Sequence, residues 1–177
     1  MPESVRWPFS YLPNPPEILT SPTVSWAEDL ATNMEETFRV NVVGPALVIA
    51  SFRPLLQKSA SPRSIFISSG LGSLTFANDP THPIYAADWS SYSISKAALN
   101  MLVSKERKKD KETGVKTYVM CPGLVRSNLR GKEEEQVSAG GSAGDPKVSG
   151  KLILDIMEGR REGDAEKFIS GSGTYPW

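Results

Sequence analysis

Cysteine and histidine are almost missing from this sequence: its 177 residues include one of each, Cys121 and His82. A single cysteine excludes an internal disulfide framework and a cysteine-based zinc module, and a lone histidine leaves histidine-based metal sites almost without ligands. A cytoplasmic protein with no metal site is therefore the expectation. Net charge is missing too. Twenty Lys plus Arg balance twenty Asp plus Glu, so no overall field would hold nucleic acid or an anionic membrane surface. No unbroken apolar run approaches the ~20 residues of a membrane-spanning helix, and prolines interrupt the N-terminal stretch where a signal peptide needs an apolar core. Nucleic acid, membrane and a targeting segment are all unexpected.

What is present suits one globular domain. With 39% hydrophobic and 23% charged residues the chain can build a core, and its length fits the usual ~100–200 residues of a domain. Six of the fourteen prolines lie at Pro2, Pro8, Pro13, Pro15, Pro16 and Pro22. That density excludes helix and central strand, so residues 1–24 read as a poorly ordered proline-rich extension and 25–177 as the folded unit.

From about Ser25, Met34, Phe38, Val42, Pro45, Ile49, Phe52 and Leu56 recur at spacings of three and four, the period of one long amphipathic helix. Arg63 to Ser69, RSIFISS, has the length and isoleucine content of a buried parallel strand. A loop, SGLGSL, follows. Tyr92 to about Arg107 reads as a second helix with Ser90 or Ser91 as N-cap. Its KERKKDKETG end reads as a solvated helix end stopped at Gly114. Val115 to Cys121 is a second strand ended by Pro122-Gly123, which completes a βαβ unit. Residues 130–144, with Glu133 to Glu135 and SAGGSAG, read as a mobile loop. Asp145-Pro146 opens a helix to about Glu158 with Val148, Leu152, Ile153 and Ile156 inward. Phe168 to Ser170 is a last short strand. Helices alternating with parallel-type strands define an α/β layer fold, but three strands leave the sheet small and its edge unprotected.

Chemistry concentrates at Tyr92-Ser-Ile-Ser-Lys96, where a phenol and an ammonium four residues apart share a helix face. An ammonium about 4 Å away interacts with a phenolate by roughly 4 kcal/mol at an effective dielectric of 20, enough to lower a phenol pKa. Tyrosine then becomes usable as an acid or base. Ser69 and Cys121-Pro122-Gly123 end the two strands flanking this helix, and ligands bind at the carboxyl ends of such strands. His82, in DPTHP, reads as a loop residue and Cys121 as a buried small side chain.

These residues resemble the short-chain dehydrogenase/reductase family, and its carbonyl-reductase-like branch in particular. YSISKAALNML is similar to the family's Tyr-x-x-x-Lys helix, SIFISSG to its serine-bearing strand, PGLVRSNL to its Pro-Gly cofactor loop and FRVNVVG to its asparagine-bearing helix, all in the family's order. The resemblance implies Tyr92 as general acid/base, Lys96 tuning it and holding the nicotinamide ribose, Ser69 positioning the substrate oxygen with Ser68 as its rival, and Asn41 in a water-linked proton relay. It implies cofactor contacts from Tyr92, Lys96, Pro122, Gly123, Val125 and Ser127, and NADP(H) in preference to NAD(H). Pro45, four residues after Asn41, has no N–H, so the Asn41 carbonyl loses its helical donor and the helix should kink there.

The family's TGxxxGxG turn, whose glycines let the backbone approach a pyrophosphate, has no counterpart here, nor has its Asn-Asn-Ala-Gly strand end. The fold expected is a partial Rossmann fold, the C-terminal half of a doubly wound parallel sheet with flanking helices. Two functions follow. One is an NAD(P)-dependent oxidoreductase that reduces a small carbonyl or oxidises an alcohol. The other is a truncated, inactive remnant or interaction protein that binds no dinucleotide and self-associates through its exposed sheet edge.

Overall fold

The computed structural model describes residues 26–87 and 89–177. The proline-rich opening lies outside the described residues. The chain enters through α1 (Trp26–Phe38) and α2 (Gly44–Leu56), joined by a π-helical turn over Arg39–Val43. That turn has a covalent cause. Pro45 cannot donate to the Asn41 carbonyl, and the Gly44 N–H reaches back five residues to the Arg39 carbonyl. The helix therefore widens by one residue where a kink was expected. Counted along the helix rather than as an unbroken run, Asp29–Leu56 is long and apolar enough to cross a membrane by length and composition alone, and 11% of its most apolar window is buried.

Strands β1 (Arg63–Ile67), β2 (Lys116–Cys121), β3 (Phe168–Ser170) and β4 (Gly173–Tyr175) form one sheet in the order β1-β2-β3-β4. The first three run parallel, with Arg63 opposite Lys116 and Val119 opposite Phe168, and β4 returns antiparallel to β3. A short helix, α3 (Leu74–Ala77), follows β1. The long α4 (Ser90–Asp110) connects β1 to β2, while α5 (Glu134–Ser138) and α6 (Pro146–Met157) lie between β2 and β3. This is an α/β fold with a mostly parallel sheet and flanking helices, part of a doubly wound sheet. β4 adds a fourth strand to the three expected: three residues are too few to show alternation, and Gly171-Ser172 closes a two-residue hairpin onto β3.

β2 has a neighbour on each side and cover on each face, so Tyr118, Val119 and Met120 are fully buried. On one face Phe66, Val119, Cys121 and Phe168 pack with Ile49 of α2 and Leu99 and Val103 of α4. On the other, Tyr118, Met120 and Ile169 pack under Leu152 and Ile156 of α6. Asp145 caps α6 as expected, its carboxylate accepting the Lys147 N–H at 2.8 Å with Pro146 in the first turn.

Several local expectations need correction. Val148 and Phe52, placed on inward faces by periodicity, are exposed, because α6 and α2 each lay only a narrow stripe on the sheet. Trp89, not Ser90 or Ser91, is the α4 N-cap, and it makes no side-chain cap bond. Residues 130–144, expected as a loop, contain a helix: Glu133 and Gln136 form a reciprocal capping box on α5, and Ala139, Gly140 and Gly141 take left-handed conformations that end it. The charged end of α4 is not simply solvated. Glu106, Arg107 and Asp110 are buried. Arg53 of α2 pairs with both Glu106 and Asp110, Asp110 accepts from the Thr117 hydroxyl, and Thr117 meets Ser64 at 2.9 Å. Arg107 donates to the carbonyls of Thr117, Glu166 and Lys167 at 3.2, 2.7 and 3.0 Å. Burial pushes it down to about 10, with Glu166 opposing.

Candidate active site

The carboxyl ends of β1 and β2 and the first three turns of α4 converge on one place. Tyr92 opens that face of α4, and the Ser69 side chain is close enough to its phenol to draw its pKa down against burial. Ser69 follows β1 and caps a tight turn over Gly70–Gly72, its hydroxyl accepting the Leu71 N–H at 3.2 Å. One turn along the helix, Lys96 is only 5% exposed. Its ammonium lies 5.5 Å from the Tyr92 ring centre and donates to the Ile67 carbonyl at 2.9 Å.

Electrostatics here depart from the expectation that Lys96 lowers the phenol. Burial pushes Tyr92 up to about 12, the Ser69 side chain opposing it and Cys121 adding to it. Burial pushes Lys96 down to about 8, with Cys121 opposing. Desolvation disfavours the charged form of each group, and the ammonium spends a hydrogen bond on a backbone carbonyl instead of on the phenol. At neutral pH the pair is a protonated phenol beside an ammonium.

Asn41, buried in the π turn, donates from Nδ2 to the Ser95 hydroxyl at 3.0 Å, and that hydroxyl donates to the Tyr92 carbonyl at 2.7 Å. The asparagine thus braces the turn of α4 that carries Tyr92. Sequence reasoning missed Ser95 and Asn100. Asn100 accepts the Ser68 hydroxyl at 2.5 Å and donates to the Gly72 carbonyl at 3.1 Å, gripping the loop on both sides of Ser69. Ser68 is consumed in this contact, and Ser69 is the member of the pair beside Tyr92. The available signal was spacing: Tyr92, Lys96 and Asn100 recur every four residues on one helix face. Gly72 is needed for the approach, since an added Cβ there would lie 2.6 Å from the Lys96 carbonyl carbon.

Across the site, the Cys121 sulfur accepts the N–H groups of Gly70 and Gly123, both at 3.3 Å, and ties the exits of β1 and β2 together. Gly123 is left-handed, with φ of +77°, and the Pro122 carbonyl accepts the Ser149 hydroxyl at 2.7 Å. Val125 forms a parallel bridge with Gly144. Arg130 donates to the carbonyls of Val125 and Val137, each at 2.9 Å, and to Gln136 at 3.0 Å. Ser127 caps the turn after it, accepting the Leu129 N–H at 3.4 Å. Among the described residues no hydrogen bond links Val125 or Ser127 to Tyr92, Lys96 or Ser69; they line the other strand's exit. The nicotinamide end of a dinucleotide fits these residues: Gly123 is exposed, and a Cβ there would meet nothing within 4 Å. The pyrophosphate end has no glycine-rich turn in this sequence to receive it. His82 caps a loop turn, its Nδ1 accepting the Ile84 N–H at 3.2 Å while its ring stacks on Phe76.

A phenol, a hydroxyl and an ammonium are thus gathered at the carboxyl ends of the strands of a mostly parallel α/β sheet. The model of the short chain dehydrogenase family matches residues 20–138, and the chain belongs to that family. It is 34% identical over 152 residues to the short-chain dehydrogenase/reductase tropE of Talaromyces stipitatus, a match spanning 77% of this chain and 55% of that protein. It is 28% identical to the C-signal protein of Myxococcus xanthus over 82% of this chain and 79% of that one. Among solved structures, the NADPH-bound carbonyl reductase from chicken fatty liver superposes with a TM-score of 0.65 at 27% identity, over 81% of this chain and 57% of the reductase. The chain spans little more than half the length of the reductases it matches.

Proposed function

We propose that this chain carries the catalytic side of an NADP(H)-dependent carbonyl reductase acting on a small carbonyl compound, with alcohol oxidation as the reverse reaction. The observation that carries the reading is the Lys96 ammonium 5.5 Å from the Tyr92 ring centre, at the end of the strand that Ser69 follows. Bound nicotinamide supplies or takes up the hydride. Ser69 holds the carbonyl oxygen beside the phenol, and Tyr92 gives that oxygen its proton. Burial holds the phenol high, in the protonated form that reduction needs. The Lys96 ammonium steadies the phenolate left behind, and Asn41 with Ser95 keeps the first turn of α4 in place. The Asn41 backbone carbonyl, beside a proline that cannot bond it, is the acceptor for a relay water. Pro122, Gly123, Val125 and Ser127 would hold the nicotinamide and its adjoining phosphate, with Lys96 and Tyr92 on the ribose. NADP(H) is preferred over NAD(H) because the structurally similar chicken reductase was solved with NADPH.

Fluorescence titration with NADPH and NADH, followed by NADPH oxidation against a panel of small ketones and aldehydes, tests this. Tyr92→Phe should keep cofactor binding and lose roughly 10²–10⁴ in turnover, the range for a general acid. No binding of either cofactor at millimolar concentration would end the reading for this chain. A second reading, a non-catalytic interaction protein, draws on two observations: the Lys96 ammonium is engaged by a backbone carbonyl, and the C-signal relative is matched over most of its own length.

A further inference from the structure

The loop between α3 and α4 holds the one histidine of the sequence, and the proposed reaction makes no use of it. Pro80 and Pro83 leave this loop short of backbone donors. The Thr81 N–H goes to the Asp79 carboxylate at 2.9 Å, and those of His82 and Tyr85 go to the Asp79 and His82 carbonyls at 3.0 and 2.9 Å. The Ile84 N–H differs. It lies in the tight turn over Pro83–Ala86 and is accepted by His82 Nδ1 at 3.2 Å. An imidazole accepts at Nδ1 only while neutral, with its proton on Nε2, whereas an imidazolium donates from both nitrogens.

Ile84 leads from that turn to the candidate site. Gly70, the residue after Ser69, is buried against it: an added Cβ would lie 3.1 Å from Ile84 Cδ1 and 3.2 Å from the Tyr175 ring. The same turn carries Leu71, whose N–H is held by the Ser69 hydroxyl. A shift of Ile84 is thus felt one residue from Ser69.

We propose that His82 is a positioning residue for Ser69, acting through Ile84 and Gly70 and only in its neutral form. The proposal rests on the reading of Ser69 as the group that holds the substrate oxygen. The ring itself is fixed: it lies flat on Phe76 of α3, with centroids 3.9 Å apart and planes 6° from parallel. Protonation does not release it, because an aromatic face attracts a cation. The backbone yields instead, since the new Nδ1–H meets the Ile84 N–H donor to donor. The charged neighbour on the same loop is Asp79, held below the usual carboxylate range by its hydrogen bonds from Thr81 and by His82. The elements packed on the ring bring Phe76 and, edge-on to it at 5.2 Å, Tyr175 of β4. Histidine is the side chain that changes charge between pH 5 and 8, so acidification through that range loosens the turn that carries Ser69.

Amide exchange on the full chain from pH 5 to 8 tests this without cofactor, with protonation followed by NMR of the one imidazole in the sequence. In the wild type, protection of the Ile84 and Leu71 N–H groups, corrected for intrinsic exchange, should fall together by roughly fivefold as His82 protonates, the scale of one lost cap. His82→Asn keeps an acceptor at the cap without a charge change, and should hold both values high throughout. His82→Phe keeps the stack and removes the acceptor, and should give the low values at every pH. Constant Leu71 protection while Ile84 follows His82 would overturn the proposal. So would a His82→Phe chain that matches the wild type above the midpoint, or a His82→Asn chain with the wild-type pH dependence. In the active protein, the ratio of wild-type to His82→Asn kcat should fall by the same factor below the midpoint. The expected exchange pattern in a chain that binds neither NADPH nor NADH would leave the positioning role standing and end the proposed reaction.

Discussion

Along α4, residues Tyr92 to Asn100 and residues Glu106 to Asp110 both bury polar side chains, but they satisfy them by different chemistry. The first stretch uses neutral donors and acceptors: Asn41 to Ser95, Ser95 to the Tyr92 carbonyl, and Asn100 between Ser68 and Gly72. The second uses ions: Arg53 against Glu106 and Asp110, with Arg107 spread over three carbonyls. Neutral hydrogen bonds are directional and place a loop or a turn in one orientation, so they suit the end of the helix that must aim Tyr92 and Ser69. Ion pairs hold elements together over a wider range of geometry, and here they bind α2 and β2 to the far end of the same helix. One helix thus divides into an aiming end and an anchoring end.

The anchoring end should give the largest loss of stability. Arg53→Ala leaves buried Asp110 without a cation and Glu106 with Lys109 alone, and breaking a buried pair by removing one partner costs about 3–5 kcal/mol. Chemical denaturation should show that loss, while amide exchange at Leu71, whose N–H reports the Ser69 hydroxyl, stays as in the parent. Faster exchange at Leu71 would mean the two ends are not separable.

Lys96 is the exception within the aiming end, a charge among neutral bonds, and its effect depends on pH. Its folded value of about 8 lies below its ordinary 10.5. Between those values the unfolded chain binds a proton that the folded chain does not, so stability rises with pH across that window. Below pH 8 the full penalty applies, about 3 kcal/mol at ~1.4 kcal/mol per unit. Tyr92 acts oppositely: held near 12 against an ordinary 10.0, it loses stability as pH climbs from 10 to 12. Lys96→Met should therefore be more stable than the parent at pH 7, with the gain gone by pH 10.5. Urea denaturation at a series of pH values reads this directly, and a variant less stable at pH 7 would show that the bond to Ile67 outweighs desolvation.

Asn100→Leu should have the smallest effect on stability, about 1–3 kcal/mol, the cost of leaving buried groups unpaired; here they are the Ser68 hydroxyl and the Gly72 carbonyl. Its signature is local, with faster exchange at Leu71 and unchanged exchange along β2. Uniform acceleration across the sheet would assign Asn100 to the anchor instead.

The strands at 63–67, 116–121 and 168–170 were legible because a buried parallel strand reads as an apolar run, and Tyr92 with Lys96 because helical spacing alone puts them on one face. The ambiguity between Ser68 and Ser69 was not legible. Residue parity puts Ser68 under α4 and turns Ser69 out of the strand, and that depends on where β1 ends. The buried charges of α4 were misread as solvated because their partners, Arg53, Thr117 and Glu166, lie on other elements.

Local pattern in the sequence therefore determined the α/β class, the order of its elements and the phenol–ammonium pair, since each follows from periods of two or 3.6 residues and from spacing within a single helix. Only the tertiary structure decided which charges are buried, which serine meets Tyr92, and that Lys96 is engaged by an edge carbonyl. Each of these is a contact between segments far apart in the chain, and it is burial by those segments, not the nearest neighbour in sequence, that sets the protonation of the Tyr92 and Lys96 pair.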